Sequence, residues 1–128
     1  MLPTLITRAP LPTEAETPVS YGQEEEASAV GADSKGLELA WKAATRLYRS
    51  GIHPAIQLCV RRNGQVVLDR AIGYARGAGP KDGPDTEKLE VSTETPFNIF
   101  SASKAITAMA IHLLDQRHLV HLEDPVCD

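Results

Sequence analysis

Ser101 and Lys104 stand three residues apart in the run FNIFSASKAIT, residues 97–107. On a helix those positions share one face, with Cβ atoms roughly 5–6 Å apart, so the amine can reach the hydroxyl. A serine hydroxyl is a poor nucleophile until a base takes its proton. A lysine at its reference pKa of about 10.4 is charged and cannot act as that base. Burial disfavours the ammonium form, and the partial positive charge of a helix N-terminus pushes the same way. A lysine in the first turn of an apolar helix is therefore a poor structural cation and a suitable general base, provided the helix is buried. Ser103 lies one residue from Lys104 and points elsewhere, so the spacing selects Ser101. The competing reading makes Ser101 a plain N-cap and lets Lys104 snorkel to water. Seven serines and five lysines can also produce this spacing by chance.

Other chemistry-bearing residues are weaker. His118 and His121 form H-x-x-H without a third ligand in view, whereas zinc sites need three or four. His112 lies within the helical run without a partner and reads as structural. The stretch GYARGAGP is glycine-rich but opens no helix, so it is not a phosphate loop. Cys59 sits in an apolar run and Cys127 is the second-last residue, which gives no disulfide framework.

The elements that must position the pair follow from periodicity. A helix is expected over about 101–116, with one stripe of Ile106, Met109, Ala110, Leu113 and Leu114. Its neighbouring stripe, Ser101, Lys104, Ala105 and Ala108, is small apart from the lysine, which predicts a central, buried helix. Upstream, Leu37, Ala40, Trp41, Ala44, Leu47 and Tyr48 repeat at helical spacing. Asp33 or Ser34 can cap that helix and Gly51 can close it. AIQLCVRR and QVVLDRAIGY read as a hairpin about Asn63-Gly64, with Ile56, Leu58 and Val60 on one face. Residues 76–90 read as a polar Gly/Pro-rich loop. Residues 1–34, with Pro3, Pro10, Pro12, Pro18 and the acidic run Glu24–Glu26, read as an ill-ordered acidic tail before a domain over 35–128. A docking arm is the other reading of that tail.

The 128 residues carry a net charge of −4 with 42% hydrophobic residues, the range of one ordinary domain. Residues 1–34 hold six acids and one base, a net −5, which leaves the remainder at +1. No basic face suggests nucleic acid, and no apolar run approaches the roughly 20 residues of a membrane span. No signal peptide is evident in MLPTLITRAP, so a cytoplasmic protein is expected, or a periplasmic one if an upstream signal is missing.

The run TPFNIFSASKAITAMAIHLLD followed by LVHLEDPV resembles the serine hydrolases that include class C β-lactamases, penicillin-binding proteins and related esterases. Those families share Ser-x-x-Lys at a helix head, often with an aromatic four residues before the serine, here Phe97. A leucine-acid-Asp-Pro stretch follows the helix, here Leu122–Val126. The family commonly has glycine just after the helix, where this chain reads Arg117-His118; a residue there needs positive φ, in which histidine is enriched.

The resemblance spans about 34–128. It implies an α+β fold, an antiparallel sheet flanked by helices, of which this chain holds the N-terminal portion. It implies acyl transfer from a small-molecule ester or amide, with Ser101 as nucleophile, Lys104 as base, the Ser101 N–H as an oxyanion donor, and no metal or organic cofactor. An esterase is favoured. The family's downstream tyrosine and late glycine-containing strand have no match, since Tyr21, Tyr48 and Tyr74 all precede the serine. The chain by itself is therefore expected to be catalytically silent and marginally folded, with unpaired sheet edges favouring self-association. The alternative is a truncated or decayed relative that binds a partner or has no function.

Overall fold

The computed structural model of the chain describes Thr13, residues 17–83 and residues 85–127. It divides into two compact units, one running to Thr95 and one beginning at Pro96.

The first unit is built on a hairpin. Strands β2 (Ala55–Arg62) and β3 (Gln65–Arg76) pair antiparallel about Asn63-Gly64, with φ of 51° and 81°. Two successive residues in the left-handed region define the tight turn whose twist matches that of the strands. Near the turn Val60 faces Leu68 while Arg61 faces Val66, which leaves Val67 without a cross-strand partner. This bulge breaks the in–out alternation, and the consecutive residues Val67 and Leu68 are both buried.

Helix α1 (Ser34–Arg49) covers one face of the hairpin. Asp33 caps it, accepting from the Lys35 and Gly36 N–H groups at 3.0 and 3.1 Å. Gly51, with φ of 73°, donates to the Tyr48 carbonyl at its end. Trp41 and Tyr48 pack with Leu68 and Ile72, and Leu37, Ala44, Ile56, Leu58 and Val60 border that cluster. Burial is the main cause that raises the Tyr48 hydroxyl pKa, and Tyr74 adds to it against the opposing field of Arg49. Two expected core positions, Ala40 and Leu47, are exposed, because the buried stripe is narrower than the periodicity suggested.

Gly73 has φ of 102° and lies so close to the Pro54 carbonyl and the Tyr48 ring that any Cβ would collide with both. This is a position where only glycine fits. On the other face of the hairpin Ala55, Ala71 and Val91 form a second small cluster. Gln57 Nε2 donates to the carbonyls of Ser92 and Thr95 at 2.7 and 2.8 Å, fastening that segment down.

Two expectations are corrected here. The first is the acidic tail to residue 34. Residues 1–12 and 14–16 lie outside the described residues, but strand β1 (Val19–Tyr21) pairs antiparallel with β3, Val19 opposite Ile72. A 3₁₀ turn (Ala27–Val30) follows, with Ala27 buried. The cause is Arg70, which lies between Leu68 and Ile72 on the core-facing side of β3. A guanidinium there must be paired. Glu24 accepts from it through both carboxylate oxygens, Glu38 accepts at 3.0 Å, and the Tyr21 and Trp41 rings lie 5.4 and 5.8 Å from it. Glu24, one of the acids that made this segment look solvated, is what fastens it.

The second correction concerns the loop over 76–90. It ends in a strand, β4 (Leu89–Glu90), which pairs with Tyr74 and Arg76. The hairpin is thus part of a four-stranded antiparallel sheet, ordered β1-β3-β2 with β4 against the end of β3.

In the second unit, a 3₁₀ turn (Phe100–Ala102) leads into helix α2 (Ser103–Gln116). The helix ends as the sequence requires. His118 has φ of 55°, its N–H donates to the Asp115 carbonyl at 2.9 Å, and the Leu119 N–H donates to the Leu114 carbonyl at 3.0 Å. These are the two bonds of a Schellman termination, with histidine in the place usually held by glycine.

Candidate active site

The site is assembled on the first turn of the second unit. Phe100 is left-handed at φ 45°, and its N–H donates to Asn98 Oδ1 at 2.9 Å. The Ala102 N–H donates to the Ile99 carbonyl at 3.0 Å, closing the 3₁₀ turn that holds Ser101. In 3₁₀ geometry side chains at i and i+3 eclipse one another more closely than in an α-helix. Lys104 accordingly lies over Ser101, and its Nζ donates to the Ser101 Oγ at 3.0 Å.

That contact bears on the cap reading of Ser101. Ser101 is not a cap: neither the 3₁₀ turn nor α2 has a side-chain hydrogen bond at its N-cap. Lys104 turns back along the helix to the serine instead of extending away from it. The Ser103 carbonyl accepts from the Thr107 hydroxyl at 3.1 Å. The spacing argument therefore picked out the pair that the fold brings together.

Burial does not follow the expectation. No residue of α2 is buried, and Ser101 and Lys104 are both exposed. Ile106 and Met109, on the stripe expected to face a core, are 60% and 67% exposed. The physical reason is size: a single helix with short flanking turns cannot enclose its own apolar stripes. The second unit by itself does not provide the desolvation that a lysine general base needs.

His118 and His121 face each other with ring centroids 6.4 Å apart, and His121 Nδ1 lies 3.7 Å from Asp115 Oδ1. Among the described residues no group of three or more His, Cys, Asp or Glu could hold a metal ion. Cys59 and Cys127 are free and exposed. Among the described residues no helix is long and apolar enough to cross a membrane. Asn98 was not singled out by the sequence. Its signal is the general tendency of asparagine to hydrogen-bond the backbone two residues on, which many loop asparagines share.

A search of curated proteins and a search of solved structures each returned no match. A family model does match, over residues 42–128, well over half of the chain and including all of the Ser101 turn and α2. With an antiparallel sheet, two helices and that match, this α+β chain belongs to the Beta-lactamase family.

Proposed function

We propose that the chain carries the nucleophile and base of a β-lactamase-related serine hydrolase that cleaves esters or amides through an acyl-enzyme. The observation that supports this most directly is the 3.0 Å hydrogen bond from Lys104 Nζ to Ser101 Oγ at a helix head within the family-matched region. In the proposed reaction the Lys104 amine takes the Ser101 proton as Oγ attacks the carbonyl carbon. The tetrahedral oxyanion draws on the Ser101 N–H, one of the first-turn donors that lack an intrahelical acceptor. The leaving alcohol or amine departs with the proton held by Lys104, and water then hydrolyses the acyl-serine. An ester is the preferred substrate, because an alkoxide leaves more readily than an amide nitrogen when the site offers limited stabilisation. The scheme uses no metal or organic cofactor.

The exposure of Lys104 supports a second reading, a family member that binds a partner without turning over substrate. The two are separated by incubating a complete version of the protein with a fluorophosphonate and with a chromogenic β-lactam. Covalent mass on Ser101, absent in Ser101→Ala, supports the hydrolase. No adduct on Ser101 under conditions that label a control serine hydrolase supports the binding module.

A further inference from the structure

We propose that Asn98 is a positioning residue for the Ser101–Lys104 pair: its carboxamide holds Phe100 in the left-handed conformation, and that turn sets the serine hydroxyl against the lysine amine. The inference rests on the reading of the pair given under the proposed function, and it concerns how the pair is held.

Three described residues other than glycine have positive φ: Asn63, Phe100 and His118. Asparagine and histidine are enriched in that region, whereas a bulky aromatic there is an outlier. Such a residue persists only where its surroundings over-determine it. Packing of the ring does not do so, since Phe100 is 78% exposed. The backbone is instead pinned on both sides. Its N–H donates to Asn98 Oδ1 at 2.9 Å, and its carbonyl accepts from the Ser103 N–H. The second of these bonds belongs to the helix start and forms whatever side chain occupies position 98. The first is specific to a residue with a short acceptor two positions back.

The consequence reaches Ser101 directly. A residue in the left-handed region reverses the chain, and the next residue leaves in a direction fixed by that torsion. With Phe100 at φ 45°, Ser101 enters a 3₁₀ turn and its hydroxyl stands below Lys104. If Phe100 relaxes to negative φ, the Ser101 Cα–Cβ vector rotates away and the eclipsed contact is lost.

The test reads the geometry without requiring turnover. In the full chain carrying Cys59→Ser and Cys127→Ser, Ser101→Cys supplies a thiol at the position of the hydroxyl, and iodoacetamide alkylation is followed against pH. A neighbouring ammonium favours the thiolate, so alkylation at pH 7 should run several-fold faster than in the same protein with Lys104→Met. Adding Asn98→Ala should remove most of that advantage and shift the profile to higher pH. Adding Phe100→Gly to Asn98→Ala should restore it, because glycine takes positive φ without a holding bond.

Three results would overturn the proposal: no rate advantage over Lys104→Met, an Asn98→Ala profile identical to the parent, or no recovery in the double variant. If Asn98→Ala loses its native circular dichroism, the double variant decides alone, by recovery or its failure. Failure of the hydrolase reading appears elsewhere, as absent fluorophosphonate labelling of Ser101 in the unmodified chain while the thiol profiles still behave as stated.

Discussion

Arg70 and Glu24 meet through two parallel hydrogen bonds, Nε to Oε1 at 2.8 Å and Nη2 to Oε2 at 2.9 Å, across 46 residues of sequence. A forked guanidinium–carboxylate pair fixes orientation as well as distance. Both side chains are largely covered, at 14% and 22% exposure, so solvent screens this pair less than an ordinary surface bridge.

Glu24→Gln should lower the unfolding free energy by about 1–3 kcal/mol at neutral pH, the cost of replacing a charged, two-oxygen acceptor by a neutral one while Glu38 stays bound to Arg70. The Arg70 hydrogen bond is the main reason that the Glu24 carboxyl sits below its ordinary value near 4.5; burial opposes it, and the Asp69 N–H and the Arg70 charge assist. A depressed folded-state pKa stabilises fully above the unfolded value and is lost as pH falls through the folded one. The gap between wild type and Glu24→Gln should therefore close below about pH 4. Urea titrations at pH 7 and pH 3 measure both values, and an equal gap at the two would be contrary to the assignment.

Amide exchange should show protection inside the acidic N-terminal region. The Gly22 N–H donates to the Asp69 carbonyl at 2.8 Å and the Glu25 N–H to the Val66 carbonyl at 2.7 Å. Both should exchange much more slowly than solvated amides without an acceptor. Free exchange at Gly22 and Glu25 would mean that β1 is not docked in solution.

Gly73→Ala should cost several kcal/mol. Part is the positive φ, on the order of 1 kcal/mol or more for a residue with a Cβ. The rest is the collision with the Pro54 carbonyl and the Tyr48 ring, which cannot both retreat. Loss of the cooperative thermal transition at 37 °C is the expected readout. Gly64→Ala is the matched control: it shares positive φ but has open space around its Cβ position, so it should be milder.

In a complete version of the protein, Lys104→Met should slow acylation of Ser101 by about 10²–10⁴, the usual contribution of a positioned base, while leaving the circular dichroism unchanged. Rates of fluorophosphonate labelling give the ratio. An adduct that forms on Ser103 instead would remove the geometric basis of the assignment.

Self-association should depend on α2. Ile106, Met109 and Leu113 share one helix face and are all exposed, and contiguous apolar surface of that kind favours association. Sedimentation of Ile106→Glu/Met109→Lys should show less concentration dependence than the parent. Unchanged sedimentation would shift attention to the outer edges of β1 and β2.

Features whose cause is local were legible in the sequence. Asn63-Gly64 specifies its turn, Asp33 its cap, His118 its helix end, and Ser101 and Lys104 their contact. Each needs only a few neighbouring residues. Features whose cause is distant were not. Nothing near Glu24 announces Arg70, so proline and acid content alone made an anchored strand read as a tail. Leu47 has helical spacing yet stays exposed, because the hairpin covers only the Leu37–Trp41–Ala44–Tyr48 stripe. Apolar periodicity in α2 shows that the helix has a face to bury, but it cannot say what covers that face. Asn98 escaped notice because its role depends on the torsion of another residue.

The sheet order also sets a timetable. β2 and β3 are joined by two residues and can pair as soon as both exist, on the microsecond scale of hairpin closure. β1 must cross about fifty residues to reach Ile72 and Arg70, a loop whose closure entropy is repaid only once the hairpin is there to receive it. On a ribosome, the first strand made is thus among the last to be seated. Until Arg70 emerges, Val19–Glu24 waits in solvent, and the Glu24 carboxylate is hydrated there before it becomes the anchor.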